Sequence, residues 1–409
     1  MTVDRIVIVG AGLAGAKAAE ALREQGFAGS VVLVGQERHR PYERPALSKD
    51  YLAGRAERDS LFVHQESWYD EHKVELRLGV TATRIDRAAH QVALSDGSLL
   101  DYDKLLLATG AAPRGLPVPG ADARGVLQLR RLEDSEAIRA ALRPGSRLAV
   151  IGAGWIGLEV AATARAAGVA VTVLEALDLP LLRVLGPELG QVFADLHRQN
   201  GVDLRLGVAL REITTVDGVA AGVRLTDGTE IDADHVLVAV GVVPRVELAE
   251  RAGLEVDNGV RVDSALRTSD PDIYAAGDLA NALHPLLGKH IRVEHWANAL
   301  NAPATAAAAM LGRDAGYAEL PYFYTDQFDL GMEYIGYVEP GGYDAMVFRG
   351  DLAKREFIAF WLSGGRVLAG MNVNVWDVVE PIKELIRSGV VVDRDKLADP
   401  DCPLEEVIG

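Results

Sequence analysis

At 409 residues, about half of them hydrophobic, the chain has apolar material for two or three domains, and a formal charge of −17 opposes non-specific binding to nucleic acid or an anionic membrane. The only cysteine, Cys402, excludes a disulfide framework, a CxxC redox pair and a thiolate metal cluster, so any electron chemistry needs a bound cofactor. No run approaches ~18 uninterrupted apolar residues, and the start lacks a basic, cleavable leader, which predicts a cytoplasmic protein that does not enter a membrane.

The first element is a nucleotide cradle. Residues 5–9 form an apolar β-branched strand, Gly10-Ala-Gly12-Leu13-Ala14-Gly15 is GxGxxG, residues 16–25 make a helix and residues 31–35 a second strand. Gly10 suits the tight turn, Gly12 the approach of a pyrophosphate, and Gly15 close helix packing, with the helix N-terminus facing the anion. Gln36 and Glu37, just past the second strand, are placed to bind an adenosine ribose.

The loop His39-Arg-Pro-Tyr-Glu-Arg44-Pro45-Ala-Leu-Ser-Lys49-Asp-Tyr51 is too rich in proline and charge for a regular helix. It reads either as a solvated connector or as a clamp in which Arg44 and Lys49 meet a pyrophosphate or a ring system. Residues 73–78 form a strand, residues 91–94 and 99–103 a hairpin around Ser95-Asp-Gly-Ser98, and residues 104–110 a buried strand ending Ala108-Thr109-Gly110 and leaving through Pro113-Arg114.

That exit recurs at Val240-Gly241-Val-Val-Pro244-Arg245, after a hairpin around Thr226-Asp-Gly-Thr229. Between the exits lies a second cradle: Gly152-Ala-Gly154-Trp155-Ile156-Gly157-Leu-Glu159, a helix to about residue 167, and a strand ending at Glu175. Two cradles with strand-end acids predict two dinucleotides, one held and one exchanging, with electrons passing between them. Glu175 reads as the acceptor for a ribose 2′-OH; no Arg is adjacent and the nearest base, Arg183, lies beyond Pro180, so NADH is expected over NADPH. Glu159 reads as a nicotinamide-orienting carboxylate or as a first-turn acid complementing the helix dipole.

Gly277-Asp278 ends a short strand, where Asp278 either caps the next helix or serves the site. Glu294-His295-Trp296 leads into an Ala-rich helix through residue 311, as core or as a site wall. An aromatic-rich segment then shows strand-like runs at 334–338, 345–349 and 357–362 and an amphipathic helix at 377–388, a separate α+β domain. The expected class is α/β, with two Rossmann-like domains and this addition, divided as 1–112 with 245–320, 113–244, and 321–409.

The two cradles, the loop at 40–49, Ala108-Thr-Gly110, Leu129-Arg130-Arg-Leu-Glu-Asp134, Ala276-Gly-Asp278, Glu294-His-Trp-Ala-Asn298 and Pro321-Tyr-Phe-Tyr324-Thr-Asp-Gln327 together resemble the FAD-dependent NADH:ferredoxin reductases of bacterial oxygenase systems, the putidaredoxin reductase type, which have the glutathione reductase fold. The resemblance runs the whole length. It implies that the first cradle, with Arg44, Pro45, Lys49, Ala82, Arg130 and Asp278, holds FAD non-covalently, and that the second holds NADH. It further implies that the C-terminal domain covers the flavin, with His295, Trp296 and Tyr324 near it, and that Lys49 and Glu159 serve hydride transfer. The implied partner is a small acidic 2Fe–2S ferredoxin, no metal being bound by the chain itself; Lys289, His290, Arg292 and Arg313 are the basic residues nearby in sequence, read either as including those that dock it or as solvated charges. Many relatives carry Trp where this chain has Tyr324. An NADH oxidase, a rubredoxin reductase and an NADH-sensing flavoprotein like apoptosis-inducing factor are alternative uses of the scaffold.

Overall fold

The computed structural model describes residues 3–407. Packing divides the chain into two compact units. The first takes the residues up to Glu43, Arg58–Ala112 and Val243–Tyr322; the second takes Arg44–Glu57, Pro113–Val242 and the residues from Phe323 on.

In the first unit, five parallel strands lie in the order Ile273–Ala275, Lys104–Leu107, Arg5–Val9, Ser30–Gly35, Val74–Leu78. Ile6, Val7, Ile8, Val32 and Leu33 are fully buried, the composition expected of a parallel sheet covered on both faces. The cradle helix runs Leu13–Glu24, starting three residues before its Ala-rich stretch because the glycine turn already delivers helical geometry, and the helix Trp296–Met310 packs against it. Arg23 closes its far end by donating to the carbonyls of Phe27, Gly29, His72 and Lys73 at 2.6–2.9 Å. Ala82–Asp86, Gln91–Leu94 and Leu99–Asp101 form a small antiparallel sheet.

The second unit repeats this plan. Its parallel sheet runs Asp203–Arg205, Ala170–Leu174, Arg147–Ile151, His235–Val238, Val126–Leu127, and its small antiparallel sheet Leu210–Val216, Val219–Leu225, Glu230–Asp232. The unit also holds a five-stranded antiparallel sheet in the order Tyr322–Gln327, Leu330–Gly336, Arg366–Val373, Glu356–Ser363, Ala345–Asp351. Helix Val379–Ser388 lies on its central strands, with Ile382 seated against Gly370, where an added Cβ would come within 2.6 Å. Strand Arg366–Val373 and the helices Leu132–Ala141 and Pro187–Gln199 are elements that the sequence pattern leaves unmarked. Among the described residues, no helix is long and apolar enough to cross a membrane.

Candidate cofactor and electron-transfer site

Both cradles have one geometry. At Gly10, φ +124°, an added Cβ would stand 2.0 Å from the Ala108 carbonyl oxygen, and at Gly15 it would stand 1.9 Å from the Gly10 carbonyl oxygen. At Gly12 it would meet nothing within 4 Å. An added Cβ would stand 2.5 Å from the Ala239 oxygen at Gly152, φ +102°, and 2.2 Å from the Gly152 oxygen at Gly157, whereas at Gly154 it would again meet open space. The outer glycines are thus required by the protein's own backbone, and the middle ones leave room for a ligand. Gly12 and Gly154 are the N-caps of their helices, with no side-chain cap and no acid in the first turn. Each helix end keeps its N–H groups and partial positive charge for an anion, so the residues present fit a dinucleotide pyrophosphate twice.

Around the first cradle, which includes Leu13 and Ala14 in its first helical turn, Glu37 accepts from Tyr42 Oη at 2.5 Å and Gln36 Oε1 from Arg245 at 3.1 Å. The Ala108 N–H donates to the Val9 carbonyl at 2.8 Å, Thr109 Oγ1 to the Arg245 carbonyl at 3.0 Å, and the Gly110 carbonyl accepts from Arg245 N at 2.9 Å. Ala82 is buried at the head of its strand. Gly277, φ +75°, approaches Ala14, whose Cβ lies 3.0 Å from the position of an added methyl. Asp278 is thereby held beside the cradle, in a single 3-10 turn, Gly277–Leu279, that runs into strand Ala280–His284. No helix follows for it to cap, which removes the capping alternative.

Arg292 corrects one expectation. Its side chain is 12% exposed and donates to the Glu294 carboxylate and, at 3.3 Å, to the Asp278 carbonyl. It braces the site and is not a surface charge available for docking. Trp296 Nε1 donates to Glu43 Oε2 at 2.9 Å. His295, the N-cap of that helix, is half-buried with its Nδ1 enclosed, and loss of solvation pushes its pKa down to about 4. Because its folded pKa lies below the unfolded ~6.5, the neutral-imidazole contribution is complete above pH ~6.5 and is lost as pH falls toward 4. Thermal midpoints should therefore fall across that window, and His295→Gln should flatten the slope.

The second unit holds a dense polar cluster. Pro45 opens a 3-10 turn, Pro45–Ser48, that is stitched down by Ser135 Oγ donating to the Leu47 carbonyl at 2.8 Å and Thr163 Oγ1 to the Ser48 carbonyl at 3.0 Å. Arg44 donates to the Arg130 carbonyl, while Tyr51 Oη donates to Glu136 at 2.9 Å. The charged loop is packed down, so the solvated-connector alternative falls. It delivers Lys49 to Glu159: the ammonium lies 2.7 Å from Oε1, with 14% and 7% of the two side chains exposed. Glu159 sits beyond the first turn of its helix, Trp155–Ala166, and takes two further donors, Ser48 Oγ at Oε2 and Thr325 Oγ1 at Oε1, the latter at 2.6 Å. Its position and its partners are those of a held carboxylate, not of a helix-dipole acid. The Tyr324 ring centroid is 5.4 Å from Lys49 Nζ.

Trp155 packs edge-on against Phe193 and Phe323 at 5.6 and 5.0 Å, and Ile156 beside it is 37% exposed. Val240 and Gly241 follow strand His235–Val238, as Ala108 to Gly110 follow theirs. Glu175 Oε2 accepts from the Ala153 N–H of the glycine turn at 2.8 Å and Oε1 from Leu177 N at 3.0 Å; Arg183 is exposed on the short helix Leu182–Leu185. Sequence reasoning did not single out Ser48, Thr325, Gln327 or His197. Three of them stand inside quoted motifs, but a motif does not say which distant side chain its hydroxyls and amides meet.

The pyridine nucleotide-disulphide oxidoreductase family matches residues 4–303, and the reductase C-terminal family matches residues 322–408. The chain belongs to the pyridine nucleotide-disulphide oxidoreductase family. Among these oxidoreductases it is 43% identical to the ferredoxin–NAD(+) reductase component of the anthranilate 1,2-dioxygenase system of Burkholderia cepacia, over 99% of each chain. It is 41% identical to putidaredoxin reductase of Pseudomonas putida, over 99% of this chain and 97% of that one. The solved covalent putidaredoxin reductase–putidaredoxin complex superposes with a TM-score of 0.96 at 40% identity, over 100% of this chain and 98% of that one.

Proposed function

We propose that the chain is a cytoplasmic FAD-dependent NADH:ferredoxin oxidoreductase that passes electrons singly to a small acidic 2Fe–2S ferredoxin serving a Rieske dioxygenase or a cytochrome P450. The observation that carries this reading is the doubled glycine turn, each copy leaving its middle glycine open, joined to a held Lys49–Glu159 pair and no cysteine pair for disulfide chemistry. The full-length likeness to reductases of oxygenase systems supports it.

The FAD domain comprises residues 1–112 and 245–320, the NADH domain residues 113–244, and residues 321–409 a further domain. FAD is held by the first cradle, Gln36, Glu37, Ala82, Ala108, Thr109, Gly110, Gly277 and Asp278, with Arg44, Pro45, Lys49 and Arg130 from the loop and its support. His295, Trp296 and Tyr324 line the flavin side, with Glu294 fixed by Arg292. NADH is held by the second cradle with Trp155, Ile156, Glu175, Arg183, Val240 and Gly241. When bound there, FAD would supply the chemistry that links two-electron hydride transfer to one-electron transfer. The protein supplies position and charge: Glu159 fixes the Lys49 ammonium through one of its three donors, leaving the others to face a ligand, and the low exposure of both strengthens that field. No side chain need act as a nucleophile.

The test is flavin release and reduction. Acid denaturation should free one FAD per chain, and anaerobic NADH should bleach the bound yellow form. Stoichiometric FMN, or flavin that stays with the denatured chain, would contradict the reading.

An acidic ferredoxin approaching a chain of charge −17 needs a local basic surface. With Arg292 committed internally, Lys289, His290 and Arg313 carry that role. Arg313 is exposed, although its guanidinium also donates to the Gln25 carbonyl at 2.5 Å. The double variant Lys289→Glu with Arg313→Glu should slow ferredoxin reduction through association and flatten its salt dependence, with NADH reduction of ferricyanide unchanged; stopped-flow rates across a salt series check this.

A further inference from the structure

Behind Glu159 runs a buried hydrogen-bonded line that none of the functional roles above uses. Thr325 Oγ1 donates to Glu159 Oε1 at 2.6 Å, Gln327 Nε2 donates to Thr325 Oγ1 at 3.2 Å, and Gln327 Oε1 lies 2.8 Å from His197 Nε2. Few polar side chains among the described residues are so enclosed: Thr325 and Gln327 are each 1% exposed and His197 0%, a level matched by Ser135 and Asn372. The three residues come from helix Pro187–Gln199 and strand Tyr322–Gln327, and the line ends on the cradle helix Trp155–Ala166.

The line has a direction. A threonine hydroxyl has one proton; if it goes to Glu159, the next residue must donate to the oxygen, which requires the Gln327 amide nitrogen there. The Gln327 oxygen then faces His197, and only an Nε2–H imidazole can donate to it. The opposite tautomer would turn the amide over, draw the Thr325 proton to Gln327 and leave two oxygens, those of Thr325 and Glu159, facing one another at 2.6 Å. It would also place the proton on Nδ1, which is buried without a partner among the described residues. An orphaned buried N–H is rarer in proteins than an under-used acceptor, so the enclosure itself selects Nε2–H. Burial lowers the His197 pKa, keeping the ring neutral near pH 7.

We propose that His197 and Gln327 are positioning residues for hydride transfer: the His197 Nε2–H fixes the Gln327 amide, the amide fixes the Thr325 hydroxyl, and the hydroxyl holds the Glu159 carboxylate in the orientation that carries Lys49. The relay rests on the proposed role of Glu159 and Lys49. It also ties the residue after Tyr324 to the second cradle, so the C-terminal strand and the cradle helix share one polar registration.

The first measurement is a long-range proton–nitrogen correlation spectrum of the FAD-loaded protein labelled at histidine nitrogens, with His197 assigned by loss of its signals in His197→Phe. The relay requires a neutral Nε2–H ring at pH 7; an Nδ1–H ring overturns it. The second is anaerobic stopped-flow reduction of the flavin across NADH concentrations. His197→Phe and Gln327→Leu should each lower the limiting rate about tenfold, the scale of one ordered hydrogen bond to a charged group, with little change in half-saturation. His197→Gln, whose amide nitrogen can stand where Nε2 stands, should restore most of it. Equal rates in wild type and His197→Phe, or equal losses in His197→Phe and His197→Gln, would overturn the relay. Failure of NADH to reduce wild-type flavin would instead refute the proposed function, and the tautomer spectrum would then decide the relay alone.

Discussion

A roughly thousandfold fall in kcat/KM is the expected result of replacing NADH with NADPH. The cause is Glu175. It ends the second strand of the second cradle, and its two oxygens are tied to the backbone N–H groups of Ala153 and Leu177 at 2.8 and 3.0 Å. A carboxylate tied at both oxygens cannot swing away from an added phosphate. At about 4 Å and an effective dielectric of ~20, each phosphate charge meets roughly 4 kcal/mol of repulsion before screening. Arg183, the nearest base along the chain, is exposed on helix Leu182–Leu185 and in contact with solvent. Glu175→Gln should narrow the coenzyme ratio sharply, mainly by improving NADPH. Equal efficiency of the two coenzymes with the unaltered protein would remove this assignment.

Gly15→Ala and Gly157→Ala should separate the two nucleotides. Each methyl would be driven onto backbone, the Gly10 carbonyl oxygen at 1.9 Å and the Gly152 carbonyl oxygen at 2.2 Å, and backbone in the first turn of a buried βαβ unit has no rotamer by which to yield. Gly15→Ala should purify without yellow colour. Gly157→Ala should keep its FAD and its reduction by dithionite, while reduction by NADH falls by about two orders of magnitude or more, the scale set by a misplaced reactant. Flavin content and NADH bleaching, measured alongside circular dichroism to confirm folding, check both. Loss of flavin in Gly157→Ala with retention in Gly15→Ala would reverse the assignment of the cradles.

Local signals made the two cradles readable. A β-branched run, three glycines and an Ala-rich helix lie within some twenty residues, and the structure packs Gly10 and Gly15 against backbone while leaving Gly12 open. The paired exits near Gly110 and Gly241 were readable for the same reason. The polar core of the site was not. Lys49 and Glu159 are 110 positions apart, and Thr325 is 166 from Glu159, so nothing short of the assembled fold could join them. Helix Pro187–Gln199 opens with Pro187 and carries Gly190, which masked its period, although its buried Leu189, Phe193 and Leu196 follow a helical stripe. Strand Arg366–Val373 was hidden by Gly370, which is there because Ile382 of the covering helix occupies the space of its side chain. Charge alone suggests a surface role for Arg292, whereas its side chain is 12% exposed and its guanidinium is tied to Glu294 and the Asp278 carbonyl.

The most direct test of the whole account is steady-state NADH consumption by the FAD-loaded protein under air, first alone and then with a 2Fe–2S ferredoxin and cytochrome c as terminal acceptor. The account predicts slow turnover on oxygen, strong stimulation by the ferredoxin, and cytochrome c reduced in the ratio of two per NADH. Rapid NADH consumption on oxygen that ferredoxin leaves unchanged would contradict it and make the chain an oxidase. A reduced flavin–nicotinamide complex that persists for minutes whether or not ferredoxin is present would contradict it equally, in favour of an NADH-sensing flavoprotein.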